Sequence, residues 1–253
     1  MAVHVEHHGG VCTLTLDNPA TRNALTGAMI ASIVDQLEGA AAPGVRVFVL
    51  RGANGTFCSG RDLSDIARHD GDADAAMAPL LRLEEAFRRC AVPIVAQVQG
   101  KAAGLGVSLV CWADMAVAAS DASFSIPEAR AGIAPSLTTV SLIQAVGRRN
   151  AARLCLTGLP VDASAAQDIG LILQHVGAPE LDALTNQLTD AVVRGAPQAL
   201  CLARRLLNDA ADVAASERIE LAARTARQSF GSAELTEGIR AFKEKRAPSW
   251  VGG

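Results

Sequence analysis

The sequence predicts an α/β protein in which alternating strands and helices give way to a nearly all-helical second half. Three observations carry this. In the N-terminal half, apolar runs rich in Val, Ile and Leu alternate with amphipathic stretches, the pattern of parallel strands joined by crossover helices. From about residue 136 almost every window has helical periodicity. Half of the 253 residues are hydrophobic and 19% are charged, enough to bury a large core and too apolar for a disordered chain.

Taken in order, HVEHH and VCTLTLD flank Gly9-Gly10 and predict a hairpin. After the turn signal DNPAT, Thr26 is placed to N-cap a helix through TGAMIASIVDQLEGAAA. VRVFVLRG reads as a buried strand, followed by the loop ANGTFCSGRD. The polar stretch DLSDIARHDGDADA leads into a helix over MAPLLRLEEAFRRC, with Asp62 and Asp65 as candidate caps. PIVAQVQG is strand, Gly104 to Trp112 is helix, and DMAVAAS is strand again, with Asp114 in a structural role. Beyond residue 136, LTTVSLIQAVG, RNAARLCLTG, ASAAQDIGL, ELDALTNQLTDAVVRG and PQALCLARRLLNDA are helical, with extended chain only near LILQHVG. This divides the protein into an α/β core over 1–195 and a C-terminal helical region over 196–253.

The net charge is −3 with no basic stripe, so neither nucleic acid nor an anionic membrane surface is an expected partner. Aromatics make up only 3% and tyrosine is absent, which leaves few rings for base stacking. The start, MAVHVEHHGG, lacks a signal peptide's basic and apolar regions, and the longest apolar stretch, AAGLGVSLVCWA, is too short to span a bilayer. Six scattered cysteines without a CxxC pair fit a reduced, cytoplasmic protein. Cys58 alone lies in a glycine-bearing loop, with no histidine or asparagine nearby to activate it. His4, His7 and His8 flank the hairpin turn without an acidic or cysteine partner, so they are expected to be solvated and no metal site is expected.

Chemistry concentrates in three segments. In QGKAAGLGVS the glycine spacing fits neither a Walker loop nor a dinucleotide fingerprint. What remains is a strand end running into a helix whose first amides lack internal acceptors. TFCSGRDL also follows a strand and also carries a glycine. Two such loops in one parallel sheet can converge on an oxyanion, although spacing alone favours ordinary turns. In SFSIPEARAGIAPS, Glu128 sits in an apolar stretch where burial would raise its pKa and make it a base near neutrality. The alternative is a surface carboxylate paired with Arg130.

Together these segments resemble the crotonase (enoyl-CoA hydratase/isomerase) superfamily, along nearly the whole chain and in the family's order. LDNPATRNALT, TFCSGRDLSDI, PIVAQVQGKAAGLGVSLVCWADMAVAA, SFSIPEARAGIAPS, LTGLPVDASAAQDIGLI and EGIRAFKEKRAPSW carry the resemblance. It implies a superhelix of ββα units with a C-terminal helical region used in trimerisation. It further implies a homotrimer or hexamer, and an acyl-CoA thioester as substrate. No cofactor is expected beyond coenzyme A as part of that substrate. The backbone amides of Arg61 and Leu105 match the two donors that grip the thioester oxygen, and Glu128 matches the acid/base. Ser59, Arg61 and Leu63 match the stretch that holds the adenine, and Arg22 lies where basic residues approach CoA phosphates. Phe242 and Lys245 match tail residues that in relatives reach CoA from a neighbouring subunit. The stretch containing His69 and Asp70 matches a lid over the acyl group.

One position departs from the pattern. Well-known hydratases carry a second glutamate where this chain has Ser108, which can orient a water but cannot deprotonate it near neutral pH. The resemblance therefore points first to an enoyl-CoA hydratase working with Glu128 alone, on a branched or glutaconyl-type ester. A Δ3-Δ2-enoyl-CoA isomerase is the alternative, and a non-catalytic acyl-CoA binder a further one. Dienoyl isomerases fit less well, because Ser136 stands where they have a second acid.

Overall fold

The computed structural model describes residues 1–39, 44–68, 71–211 and 213–251. Its main sheet comprises β1 (Ala2–His8), β2 (Val11–Asp17), β3 (Val47–Gly52), β4 (Ile94–Val98), β6 (Met115–Ala119) and β9 (Gln174–Val176), in the order β1-β2-β3-β4-β6-β9. The first pair is the expected antiparallel hairpin. The remaining neighbours are parallel, as crossover connections require. A smaller sheet, β5 (Lys101–Ala103), β7 (Ser123–Ser125) and β8 (Val161–Asp162), stands beside it.

The strand β3 shows why the main sheet is buried on both faces. Phe48 and Leu50 point into the principal core, which is packed by α1 (Gly27–Glu38), α3 (Ala73–Arg89) and α4 (Leu105–Trp112). Val47 and Val49, with Val95 of β4, face the other way against Leu188, Val192 and Val193 of α7 (Leu181–Val193). An uninterrupted apolar run is what a strand with two covered faces demands. In α1, Met29, Ile30, Ile33, Val34 and Leu37 form the inward stripe. Thr26 caps it by accepting from the Met29 amide at 3.3 Å.

Asp62 caps the short α2 (Leu63–Ala67), accepting from the Ser64 amide at 2.9 Å. Asp65 instead reaches back to the start of α1 and accepts from the Gly27 amide at 2.8 Å. The helix α5 (Ser136–Thr157) is broken at Gly147 (φ 75°, ψ 162°), the residue at which the sequence separates two helical stretches. After α6 (Ala163–Asp168), α8 (Pro197–Ala211), α9 (Ala215–Phe230) and α10 (Ala233–Glu244) complete the chain. No described residue of α9 is buried, and Ile219 and Phe230 are exposed. No helix among the described residues is long and apolar enough to cross a membrane.

A buried ion pair ties α8 to the core. Arg204, 4% exposed, donates Nε to Asp114 Oδ2 at 2.7 Å and gives its other nitrogens to the carbonyls of Phe87, Arg88 and Cys90. Asp114 also accepts from the Ile94 amide at 2.7 Å, so its structural role is as expected. Removing one partner of such a pair strands the other charge in a low-dielectric site. Asp114→Ala is expected to lower stability by about 3 kcal/mol or more in urea unfolding. Arg204→Met introduced on top should recover part of that loss.

Candidate active site

The loop after β3 is held by two buried asparagines of the LDNPATRNALT segment. Asn23 donates Nδ2 to the carbonyls of Ala53 (2.9 Å) and Thr56 (2.7 Å), and its Oδ1 accepts from the Asn18 amide at 2.8 Å. Asn18 in turn donates Nδ2 to the Ala24 carbonyl at 3.0 Å. Both side chains are thus spent on backbone groups that would otherwise be unpaired.

From Cys58 to Asp62 the chain runs as an irregular strand between two neighbours. On one side the Ser59 amide donates to the Arg22 carbonyl (3.1 Å), Leu25 to Gly60 (2.8 Å) and Asp62 to Leu25 (2.9 Å). On the other side Cys58 donates to the Lys101 carbonyl (3.0 Å), and Ala103 donates back to Cys58 (2.9 Å). The loop is therefore paired with β5, the strand that feeds α4. A methyl placed on Gly60 would stand 3.3 Å from the Ala103 carbonyl oxygen and 4.0 Å from the Leu105 amide nitrogen, so the two loops touch at their tips. Among the described residues, neither the Arg61 nor the Leu105 N–H is donated to an acceptor.

Two glycines of QGKAAGLGVS have separate tasks. Gly100 (φ 60°) lets the chain leave the main sheet for the small one; a Cβ there would meet the Gly55 carbonyl at 2.1 Å. Gly104 (φ 52°, ψ −118°) opens α4, and a Cβ there would fall 2.2 Å from Glu128 Oε1. Only a residue without a side chain lets that carboxylate lie over the helix start.

Glu128 begins a 3₁₀ turn (Glu128–Ala131) just beyond β7. Burial raises its pKa from the ordinary value, and its Oε2 is buried without a hydrogen-bond partner. Arg130 does not pair with it. That guanidinium donates instead to the Thr157 carbonyl at 2.9 Å, so the surface ion pair that the sequence left open is not formed.

A cavity of about 490 Å³ brings these parts together. Gly60, Arg61, Gly104, Leu105 and Glu128 line it, along with Ser59 and Leu63, and its remaining wall is mostly apolar. Leu63 is 69% exposed. Arg22 is exposed and reaches the loop only through its carbonyl, while Phe242 and Lys245 are exposed on and just after α10 and do not line the cavity. Ser136 is on the wall, in the first turn of α5. His69 and Asp70 lie outside the described residues.

Ser108 is fully buried and does not line the cavity. Its hydroxyl is 2.9 Å from Thr138 Oγ1, and Thr138 is the member of the pair on the cavity wall. The sequence offered no sign of Thr138, because the contact joins residues 30 positions apart on two different helices. Cys58 is fully buried, donates its thiol toward the Gly60 carbonyl, and is pushed up to about 12 by burial, so it holds no thiolate at neutral pH. Contrary to expectation, His4 and His7 do have partners, Asp17 at 3.0 Å and the Cys12 thiol at 3.9 Å, because the hairpin places β2 side chains beside them; no described group of three potential ligands forms a metal site.

The 2,3-dehydroadipyl-CoA hydratase of Escherichia coli is 34% identical over 251 residues, covering 96% of this chain and 95% of that protein. The enoyl-CoA hydratase EchA19 of Mycobacterium tuberculosis is 32% identical, covering 97% and 95%. Among solved structures, an enoyl-CoA hydratase from Bacillus anthracis superposes with a TM-score of 0.93 at 25% identity, covering 99% of each chain. AtuE of Pseudomonas aeruginosa gives 0.91 at 32% identity, covering 98% of this chain and 99% of that one. Residues 6–253 match the enoyl-CoA hydratase/isomerase family, and the chain belongs to it.

Proposed function

We propose that the cavity holds the acyl part of a CoA thioester and that the protein hydrates a 2-enoyl-CoA. The observation that carries this is one apolar cavity in which two unspent amides, of Arg61 and Leu105, share a wall with a half-buried carboxylate, Glu128, whose buried Oε2 has no partner. The thioester oxygen accepts from both amides. Water attacks C3, electrons move through the double bond onto that oxygen, and the resulting enolate is stabilised by donors already in place. Glu128 takes the proton from the attacking water and returns it to C2, so one carboxylate serves both halves of the addition. Thr138, oriented by Ser108, presents a hydroxyl that can hold the water without competing for its proton.

In the same reading, the backbone of Ser59, Arg61 and Leu63 receives the adenine, and Arg22 approaches the CoA phosphates. Phe242 and Lys245, remote from the cavity of their own chain, act in a homotrimer or hexamer on a neighbouring subunit's CoA. A cytoplasmic setting fits the reduced cysteines. A second reading, transfer of a proton between C4 and C2 as a Δ3-Δ2-enoyl-CoA isomerase, is favoured by one observation: Glu128 is the only carboxylate on the described cavity wall. Mass spectrometry separates the two, because hydration adds a water and isomerisation leaves the mass unchanged. The hydratase reading expects the heavier product from a 2-enoyl-CoA.

Three variants test the site. Glu128→Gln is expected to lower kcat/KM by roughly a hundredfold or more. Undiminished turnover would overturn the assignment. The carboxylate is required ionised, so the wild-type rate should rise with pH through a pKa above the ordinary glutamate value. Stability runs the opposite way. A carboxyl whose pKa is raised on folding binds more protons folded than unfolded, so its contribution falls as pH rises from the unfolded value toward the raised one. Glu128→Gln should therefore melt at or above the wild-type temperature at neutral pH. Gly104→Ala puts a methyl on the carboxylate's position and should cost activity on a similar scale while leaving the circular dichroism spectrum native. Thr138→Val should lower kcat about tenfold with little change in KM, reporting a group that holds the water and not the ester.

A further inference from the structure

One charged group on the cavity wall is not used by the proposed chemistry. The side chain of Arg61 turns along the wall, where Nη1 donates to the Ala76 carbonyl in α3 at 2.7 Å. Its Nε and Nη2 are buried and have no hydrogen-bond partner. No carboxylate among the described residues forms an ion pair with it. Asp65, the nearest acid to act on its charge, is committed elsewhere, with one oxygen on the Gly27 amide and the other toward Arg68. The surrounding wall is apolar, including Ile66, Ala73, Met77 and Leu80.

A guanidinium presents its donors as a fork that matches a carboxylate two-to-two. Keeping a permanently charged group in an apolar wall with two donors unspent is costly, and the cost falls when an anion arrives. With the backbone N–H of the same residue assigned to the thioester oxygen, its side chain, held on the Ala76 carbonyl of α3, falls further along the acyl chain. Four rotatable bonds allow the fork to swing from the wall toward a ligand. The wall around the guanidinium, from Ile66 to Leu80, is apolar, unlike a site built for CoA's phosphates.

We propose that Arg61 selects acyl chains ending in a carboxylate: its guanidinium pairs with an acidic group at the far end of the acyl part, making the substrate a dicarboxylic mono-CoA thioester. This rests on the reading of the cavity as the acyl site, but it does not depend on which reaction follows. Arg61 then works at two levels, its backbone at the thioester and its side chain at the opposite end.

The test uses saturated esters, so that turnover is not needed. Adipyl-CoA and hexanoyl-CoA share the CoA part and the chain length and differ only in the terminal group, which separates an acyl carboxylate from the CoA phosphates as the anion recognised. Titration calorimetry with the purified full-length protein is expected to give adipyl-CoA a Kd tighter by about tenfold or more, the scale of one charged hydrogen-bonded contact. In Arg61→Met that ratio should fall to unity or invert, and in Arg61→Lys it should be partly retained. Because the readout is a ratio within each protein, a general disturbance of the loop cancels. Equal binding of the two esters by the wild type, or preference for hexanoyl-CoA, would overturn the proposal, as would an unchanged ratio in Arg61→Met. If the adipyl preference is present but neither unsaturated counterpart is converted, the specificity stands and the hydratase reading fails.

Discussion

Everything at the site depends on one pairing: the backbone of Cys58 lies between Lys101 and Ala103, donating to one and accepting from the other at 3.0 and 2.9 Å. These two bonds hold the loop after β3 alongside the strand that opens α4. Without them the amides of Arg61 and Leu105 would belong to two unrelated loops. With them, the two amides are fixed relative to each other before any ligand arrives, the condition that the proposed oxyanion site requires. The pairing is itself supported from outside. Asn23 fixes the preceding turn, and Leu25 pairs with the other edge of the loop, so the segment is clamped between two strands.

The small sheet is what brings a carboxylate to this pairing. At Gly100 the chain leaves the main sheet, and β5 pairs with β7 in parallel, Ala103 opposite Ser125. Glu128 is three residues beyond Ser125, and Gly104 directly follows Ala103. The register therefore delivers carboxylate and helix start to the same place, and the absence of a Cβ at Gly104 allows them to meet.

The sequence made the main sheet and its covering helices legible because each has a long enough signal. VRVFVLRG is apolar on both faces, α1 carries a cap and a five-residue stripe, and Gly147 divides α5 where the pattern does. The small sheet was not legible: β5 and β7 are three residues each and β8 is two, too short for alternation to show. The family resemblance put Arg61, Leu105 and Glu128 together, and all three do line one cavity. The Ser108–Thr138 contact was not legible, and neither was the direction of the Arg61 side chain, since both depend on how separate helices approach.

Buried polar atoms in this chain divide into two kinds. Asn18, Asn23 and Arg204 are buried with their side chains hydrogen-bonded to the surrounding chain, and the fold depends on them. Among the described residues, the buried side-chain atoms left without partners belong only to Arg61 and Glu128, and both line the same cavity. A protein that satisfies its buried polar groups elsewhere and leaves an acid and a base unsatisfied in one place has spent stability there. The two charges are of opposite sign and yet do not pair. An ion pair between them would quiet both, lowering the pKa of Glu128 and occupying the fork of Arg61. Left unpaired, the carboxylate keeps the pKa that burial has raised, and the guanidinium keeps two donors free on the same cavity wall.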